Sequence, residues 1–393
     1  MKIDRIELFP VATQRQTGIA NQHVIVRLET ADGAVGWGEM SDLSHVPMYQ
    51  FDIPELEKML QQMLLGKDPR NIAKLMDDLI RFFPDEGHMY SRSGLVRQGV
   101  DLALHDLLGR VDGLPVYALL GGKLRDRTRV CYPIFRMRSV EEVQPNLQRI
   151  EDKLAEGFDL IRVYVGVNAE ADAQFLAAFT DRFAGRVQIK SLDFSNLVKW
   201  RESSKLIERY SDLCDFMLIE SPVPRNDFDG LANFRNFSRW PVSEHVLHIH
   251  HGWALLSQGC VDILNVSPYL LGGLQASLRL IALAEAAHAS VLIGTTQELN
   301  LGTAGVGHLV AAARVLDYPS DSTGPHLYTS DVVKAPVQYI NSHLIVPEGP
   351  GLGVEVDEAR LREMSKEARW TFGLDLAGVL DRTPANRPSA EKK

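Results

Sequence analysis

Three carboxylates in this chain stand where a divalent metal site would need them. Asp193 follows the run Val187 to Leu192, Glu220 follows Phe216 to Ile219, and Glu244 follows Pro241 to Ser243. Each acid falls where a short buried strand would end. The acids are 27 and then 24 residues apart, room each time for a helix, a turn and the next strand of a parallel barrel. Strand ends in such a barrel converge on one mouth. Three carboxylates converging there would repel one another unless a hard divalent cation lay between them, and oxygen-only ligation is what Mg²⁺ takes. A second pair, Arg162 and Tyr164, sits in the strand-like run from Leu160 to Gly166, and a period of two sends both side chains to one side.

The elements that would position these residues fall into two parts. Residues 2 to 39 alternate like a β-meander, with Asp32-Gly33 as a hairpin turn. Two polar stretches, Thr13 to Gln22 and Ser41 to Asp52, have the length of lids or binding loops. From Ile53 to Leu119 the periodicity is helical, longest from Ser93 to Gly109, where Asp106 falls on the packed face and reads as a buried structural partner. From Thr128 onward strands and helices alternate: Val130 to Ile134, Leu160 to Gly166, the three runs ending in acids, Asp262 to Val266 and Val291 to Gly294. Seven strands at that spacing favour a barrel over an open sheet. Ser139-Val-Glu-Glu142 reads as a capping box opening the helix after the first of them. The expected domains are an α+β capping domain with two lid loops over 1–127, a (β/α) barrel carrying the metal site over 128–340, a segment over 341–381 returning to the capping domain, and a disordered tail over 382–393.

Composition narrows the function classes. At 393 residues, 45% hydrophobic and 24% charged, the chain is an ordinary globular protein. A net charge of −9 and a pI near 5.8 argue against a nucleic-acid surface. No uninterrupted apolar run of 18 residues is present, and the start, Met1-Lys-Ile-Asp-Arg, lacks the apolar core of a leader, so a membrane role is not expected and a cytoplasmic location is. Cys131, Cys214 and Cys260 share no short spacing, which suggests neither a thiolate metal site nor a disulfide framework. A homo-oligomer is expected.

Several motifs, in this order, resemble the enolase superfamily over nearly the whole chain, in its mandelate racemase and muconate cycloisomerase branches. They are Asp32-Gly33 with Gly36-Trp-Gly-Glu39, Asp101-Leu-Ala-Leu-His-Asp106, Leu119-Leu-Gly-Gly-Lys-Leu-Arg-Asp126 and Pro350-Gly-Leu-Gly353. The resemblance implies an N-terminal α+β capping domain over a modified (β/α)7β barrel of TIM type. It also implies one Mg²⁺ on the acids matching Asp193, Glu220 and Glu244, and a base that removes the proton α to a substrate carboxylate.

The chain departs from that pattern where the base should be. Muconate-type members carry Lys-x-Lys at the second strand's end, where this chain has Arg162-Val-Tyr164; their further lysine, five residues before a Gly-Gly pair, lands on Ser267. The histidine that racemase-type members carry after the seventh strand is absent from Gly294-Thr-Thr-Gln-Glu298, and the sixth strand ends in Asn265 where they have an aspartate. Tyr164 is therefore the expected base, with Arg162 stabilising its phenolate or clamping a carboxylate. His245 is a candidate general acid, Glu298 an acid, base or metal-proximal anchor, and Ser267 and Thr296 candidate substrate contacts. With one face supplied with a base, dehydration of an acid sugar or related hydroxy acid is the first expectation. The alternatives are a racemase, epimerase or muconate-type cycloisomerase, or a degenerate member that binds metal without turnover.

Overall fold

The computed structural model describes residues 1–18, 20–41, 52–89 and 91–368. Three antiparallel strands, β1 (Ile3–Gln14), β2 (Ala20–Thr30) and β3 (Val35–Met40), pair in that order. Asp32-Gly33 forms the β2–β3 turn, where Gly33 takes φ +85° and its N–H closes on Thr30 O at 2.8 Å. β1 and β2 run through half of the stretch expected to be the first lid loop, leaving a turn at 15–18 whose Arg15 bridges to Tyr328. The second expected lid, apart from Ser41 and Asp52, lies outside the described residues, as does everything beyond 368, the expected tail included.

Helices α1 (Ile53–Leu64), α2 (Ile72–Phe82), α3 (Arg92–Asp112) and α4 (Val116–Leu119) follow. α3 is buried along most of its length because small residues let it lie directly on the sheet: a Cβ on Gly38 would stand 1.9 Å from Gly99 O, and one on Gly36 2.3 Å from Ala103 O. Ser91 caps its start by accepting the Gly94 N–H, and Gly113, with φ +69°, ends it. The sheet's inner face, with α1, α2 and α3, encloses its own apolar core.

β4 (Arg127–Arg129) leads into seven parallel strands hydrogen-bonded in chain order: β5 (Tyr132–Ile134), β6 (Leu160–Tyr164), β7 (Gln188–Asp193), β8 (Phe216–Glu220), β9 (Val242–His245), β10 (Ile263–Val266) and β11 (Ser290–Ile293). Between and after them lie α5 (Val143–Ala155), α6 (Ala169–Phe183), α7 (Trp200–Ser211), α8 (Phe228–Phe237), α9 (Ile249–Ser257), α10 (Pro268–Leu271), α11 (Leu274–Ala286) and α12 (Asn300–Ala312). Ser139 makes no cap hydrogen bond; residues 140–142 form a 3-10 turn, and Glu142 takes the Arg138 N–H at 3.3 Å instead. The sheet closes through an extended segment rather than a regular strand. Cys131 N–H reaches Ser320 O at 3.1 Å and Ser320 N–H reaches Arg129 O at 2.8 Å, while Asp321 N–H reaches Ile293 O at 3.0 Å on the other side. The result is a TIM-type barrel with a separate α+β cap.

β12 (Tyr339–Ile340) and β13 (His343–Ile345) form a small antiparallel sheet with β4. The chain then crosses back to the cap: Leu352 N–H donates to Asp106 Oδ1 at 2.7 Å and Val116 N–H to Gly351 O at 2.9 Å, before α13 (Glu358–Glu367) packs on β1. No described helix is long and apolar enough to cross a membrane, and the three cysteines are buried thiols.

Candidate active site

The parallel register sets the site. Tyr164 lies opposite Asp193 across β6 and β7, and Asp193 opposite Glu220 across β7 and β8. Residues immediately after the acids adopt left-handed backbone: Ser195 (φ 51°), Asn196 (φ 61°) and Ser221 (φ 49°), with Gln297 (φ 74°) in the loop after β11. Of seven such non-glycine residues among those described, four border this mouth, and strain of that kind gathers at functional sites.

Asp193, Glu220 and Glu244 are all buried and sit at consecutive strand ends, but each has its own partners. Asp193 Oδ1 accepts from Ser195 N–H at 2.7 Å and Ser195 Oγ at 2.9 Å, and its Oδ2 is 3.7 Å from an Arg162 nitrogen. Glu220 Oε1 accepts from Arg162 Nη1 at 3.2 Å, Asn265 Nδ2 at 3.2 Å and His245 Nε2 at 3.0 Å. Its other oxygen, Oε2, is buried with no hydrogen-bond partner, Lys190 Nζ standing 3.9 Å away. Glu244, fully buried, turns instead to the residues that follow β7 and β8, accepting from Ser221 Oγ at 2.9 Å, Asn196 Nδ2 at 2.7 Å and the His245 N–H at 2.9 Å, with Arg225 at 3.6 Å.

Among the described residues no three His, Cys, Asp or Glu side chains gather around one point, and the Arg162 guanidinium lies between Asp193 and Glu220. The donor chemistry nonetheless fits a hard divalent cation. All three are carboxylates, and Glu220 Oε2 is an acceptor buried away from any donor, a costly arrangement that a cation would relieve.

Electrostatics follow from this crowding. Burial raises the Asp193 pKa, and the Glu220 charge pushes it the same way against Arg162. Burial acts on Glu220 in the same sense, but Arg162, the His245 hydrogen bond and Lys190 outweigh it and hold that carboxyl well below its ordinary value. Burial works against the charge on Arg162 and Lys190 too, and in both cases Asp321 and Glu220 more than compensate.

The structure brings Arg162 and Tyr164 together as expected from their alternation: Arg162 Nη2 donates to the Tyr164 hydroxyl. The tyrosine ring stacks on Phe135 (centroids 5.6 Å apart, planes at 19°), and the Arg136 guanidinium lies 4.7 Å from its centre. His245 joins them through Glu220. Ser267 is fully buried and donates to Asn265 Oδ1 at 3.3 Å, which ties it to Glu220 at one remove. Thr296 and Glu298 turn towards each other: Glu298 Oε1 accepts the Thr296 N–H at 3.1 Å, and the glutamate side chain packs against Gly302. His248 and His251 cap the start of α9, where His248 Nδ1 accepts the His251 N–H at 3.2 Å.

Two central residues went unread in the sequence. Lys190 enters the barrel because β7 carries an extra residue: Ile161 pairs with Ile189 and Arg162 with Ser191, so Lys190 is bulged and re-aimed. Asp321 arrives on the closing segment, takes Arg162 Nη1 at 2.8 Å and binds Lys190 Nζ. A cleft lined by Cys131, Pro133, Arg162, Thr295, Gln297 and Asp321 opens beside them.

Comparison with known proteins agrees with this architecture. Residues 147–360 match the family described as enolase C-terminal domain-like, and residues 2–121 the mandelate racemase / muconate lactonizing enzyme N-terminal domain. The chain is 26% identical to muconate cycloisomerase 1 of Rhodococcus opacus over 85% of its length and 88% of that protein. It is 27% identical to the L-Ala-D/L-Glu epimerase of Bacillus subtilis (strain 168), over 90% and 97% respectively. A solved structure of muconate lactonizing enzyme superposes with a TM-score of 0.83 at 24% identity, covering 93% of this chain and 99% of that one.

Proposed function

The chain belongs to the mandelate racemase / muconate lactonizing enzyme branch of the enolase superfamily, and from that premise we propose that it abstracts the proton α to a small substrate's carboxylate with Tyr164 as the single base. One observation carries this reading: the Arg162–Tyr164 pair occupies the β6 end, where relatives of the muconate type have lysines. The guanidinium favours the ionised phenol, and a general base of this kind contributes about 10²–10⁴-fold.

Asp193 and Glu220 would hold the family's Mg²⁺, with Glu244 joining them on release from Ser221 and Asn196, and the ion when bound would offset the negative charge that deprotonation places on the substrate carboxylate. The chain's own groups do the rest. Tyr164 takes the α-proton, and the C–H electron pair becomes the new carbon–carbon double bond. In a 2,3-dihydroxy acid such as an acid sugar, that pair expels the β-hydroxyl, which leaves as water with a proton from His245, whose Nδ1 has no hydrogen-bond partner. The enol product tautomerises to a 2-keto acid. Cycloisomerisation is the second reading, favoured by the relative named muconate cycloisomerase. It breaks the same bonds with an internal carboxylate as the leaving group, so it also runs with one base.

Incubation with Mg²⁺ in D₂O and a panel of acid sugars and lactones, followed by proton NMR, tests the proposal. Deuterium should enter at the α-carbon, and Tyr164→Phe should lower that exchange by about 10²–10⁴-fold while Mg²⁺ still binds. Exchange undiminished in Tyr164→Phe removes the tyrosine from the role.

A further inference from the structure

We infer that Asp321, on the segment that closes the barrel, is a positioning residue for Arg162. It draws the guanidinium away from Glu220 and Asp193, and so sets both its hold on Tyr164 and the affinity of the carboxylates for their cation. The inference rests in part on the Tyr164 reading above, but its metal-affinity arm does not.

Arg162 Nη1 is shared unequally, 2.8 Å to Asp321 Oδ2 against 3.2 Å to Glu220 Oε1, while Nη2 serves Tyr164 and the guanidinium Nε has no partner. The group is therefore held by its outer nitrogens alone, with two acids competing for the same Nη1. Asp321 is fixed to win that competition. Its backbone N–H is tied to Ile293, and Ser320 before it is bonded to Arg129, Cys131 and Ile293. Its second oxygen is occupied by Lys190 Nζ and by the Cys131 thiol, which donates at 3.0 Å. Arg162, Lys190, Asp321 and Glu220 thus form a buried set of two cations and two acids. Neutralising Asp321 leaves two cations facing Glu220, the nearest remaining acid, and draws Arg162 onto the carboxylate that metal binding needs free.

Four variants of the full-length protein test this: Asp321→Asn, Lys190→Met/Asp321→Asn, Arg162→Met and Arg162→Met/Asp321→Asn. Calorimetric titration with Mg²⁺ alone should show Asp321→Asn binding at least about tenfold more weakly than the parent. Affinity should return in Arg162→Met/Asp321→Asn, because the competing guanidinium is gone. The Lys190→Met/Asp321→Asn pair removes one charge of each sign, so it should recover thermal stability but neither metal affinity nor α-proton exchange. If that pair regains both, Asp321 merely neutralises Lys190 and the inference fails. Unchanged Mg²⁺ affinity in Asp321→Asn overturns it as well. Exchange retained in Tyr164→Phe would sink the base assignment while leaving the calorimetric result standing, so the two failures are separable.

Discussion

Two groups of buried carboxylates among the described residues are satisfied in opposite ways. In the seam between cap and barrel, backbone N–H groups do most of the work. Asp106 takes Trp37 N–H at 2.9 Å and Leu352 N–H at 2.7 Å, Asp101 takes Leu274 N–H at 2.7 Å, and Glu39 takes Leu299 N–H at 2.8 Å and Gly302 N–H at 2.7 Å. Each spans a long stretch of chain and staples one element to another. At the mouth, Glu220 and Asp321 are met largely by side-chain cations and an imidazole, and one Glu220 oxygen has no donor. Backbone donors cannot leave, whereas side chains can be exchanged for a substrate or an ion. The seam acids should therefore govern stability and the mouth acids chemistry.

Asp106→Asn offers the largest break of that contrast. Oδ1 accepts Leu352 N–H, and Oδ2 accepts both Trp37 N–H and Arg110 Nε, so an amide nitrogen on either side meets a donor and orphans it. The expected cost is about 3 kcal/mol in urea unfolding. α-Proton exchange per folded molecule should hold, and a loss below about 1 kcal/mol would show that the seam acids are not staples.

A smaller effect tests the seam through pH. Burial on α12 lowers the His308 pKa from its ordinary 6.5 to about 4, its Nδ1 accepting the Tyr117 N–H at 3.3 Å. The unfolded chain takes up this proton below about pH 6.5 and the folded chain resists until about 4, so stability falls as pH drops through that window. By pH 5 the loss is about 2 kcal/mol, and His308→Gln should flatten the slope in unfolding curves taken between pH 7 and 5. An unchanged slope places the acid sensitivity elsewhere.

The contrast also explains what could be read in advance. The strand ends at Asp193 and Glu220 were legible because each acid terminates a buried run, whereas β9 runs one residue past Glu244 to His245; Asp106 was legible because it lies on a face of small residues. Arg162 and Tyr164 followed from alternation alone. Lys190 did not, since strict alternation from Asp193 points it away from the barrel axis and only the bulge turns it inward. Asp321 sits in Tyr318-Pro-Ser-Asp-Ser-Thr-Gly324, a run with turn composition whose role as the closing stave depends on bonds to Arg129, Cys131 and Ile293, all distant in sequence. Register shifts and irregular closure are tertiary facts, and local pattern does not carry them.

The smallest expected effect has the opposite sign at the mouth. Asp193 Oδ1 already serves Ser195 N–H and Oγ in an Asx-turn, and its Oδ2 faces only Arg162, 3.7 Å away. In Asp193→Asn the carbonyl oxygen can keep the Ser195 bonds while the amide nitrogen takes the other side, where Arg162 at 3.7 Å is beyond hydrogen-bond contact and no bond is lost. Burial and the Glu220 charge raise the Asp193 pKa, so above its ordinary value of 3.8 the ionised form costs the folded state stability rather than adding to it. Replacing the charge by a neutral amide should thus leave unfolding within about 1 kcal/mol of the parent, on the stable side if it moves at all. Mg²⁺ binding should weaken in the same protein, because a carboxylate donor is lost. The same Asp→Asn change would then cost the seam its stability and the mouth its cation. If Asp193→Asn unfolds as readily as Asp106→Asn, the mouth acid is as structural as the seam acid, and the division between acids that staple distant segments and acids of the mouth has no functional meaning.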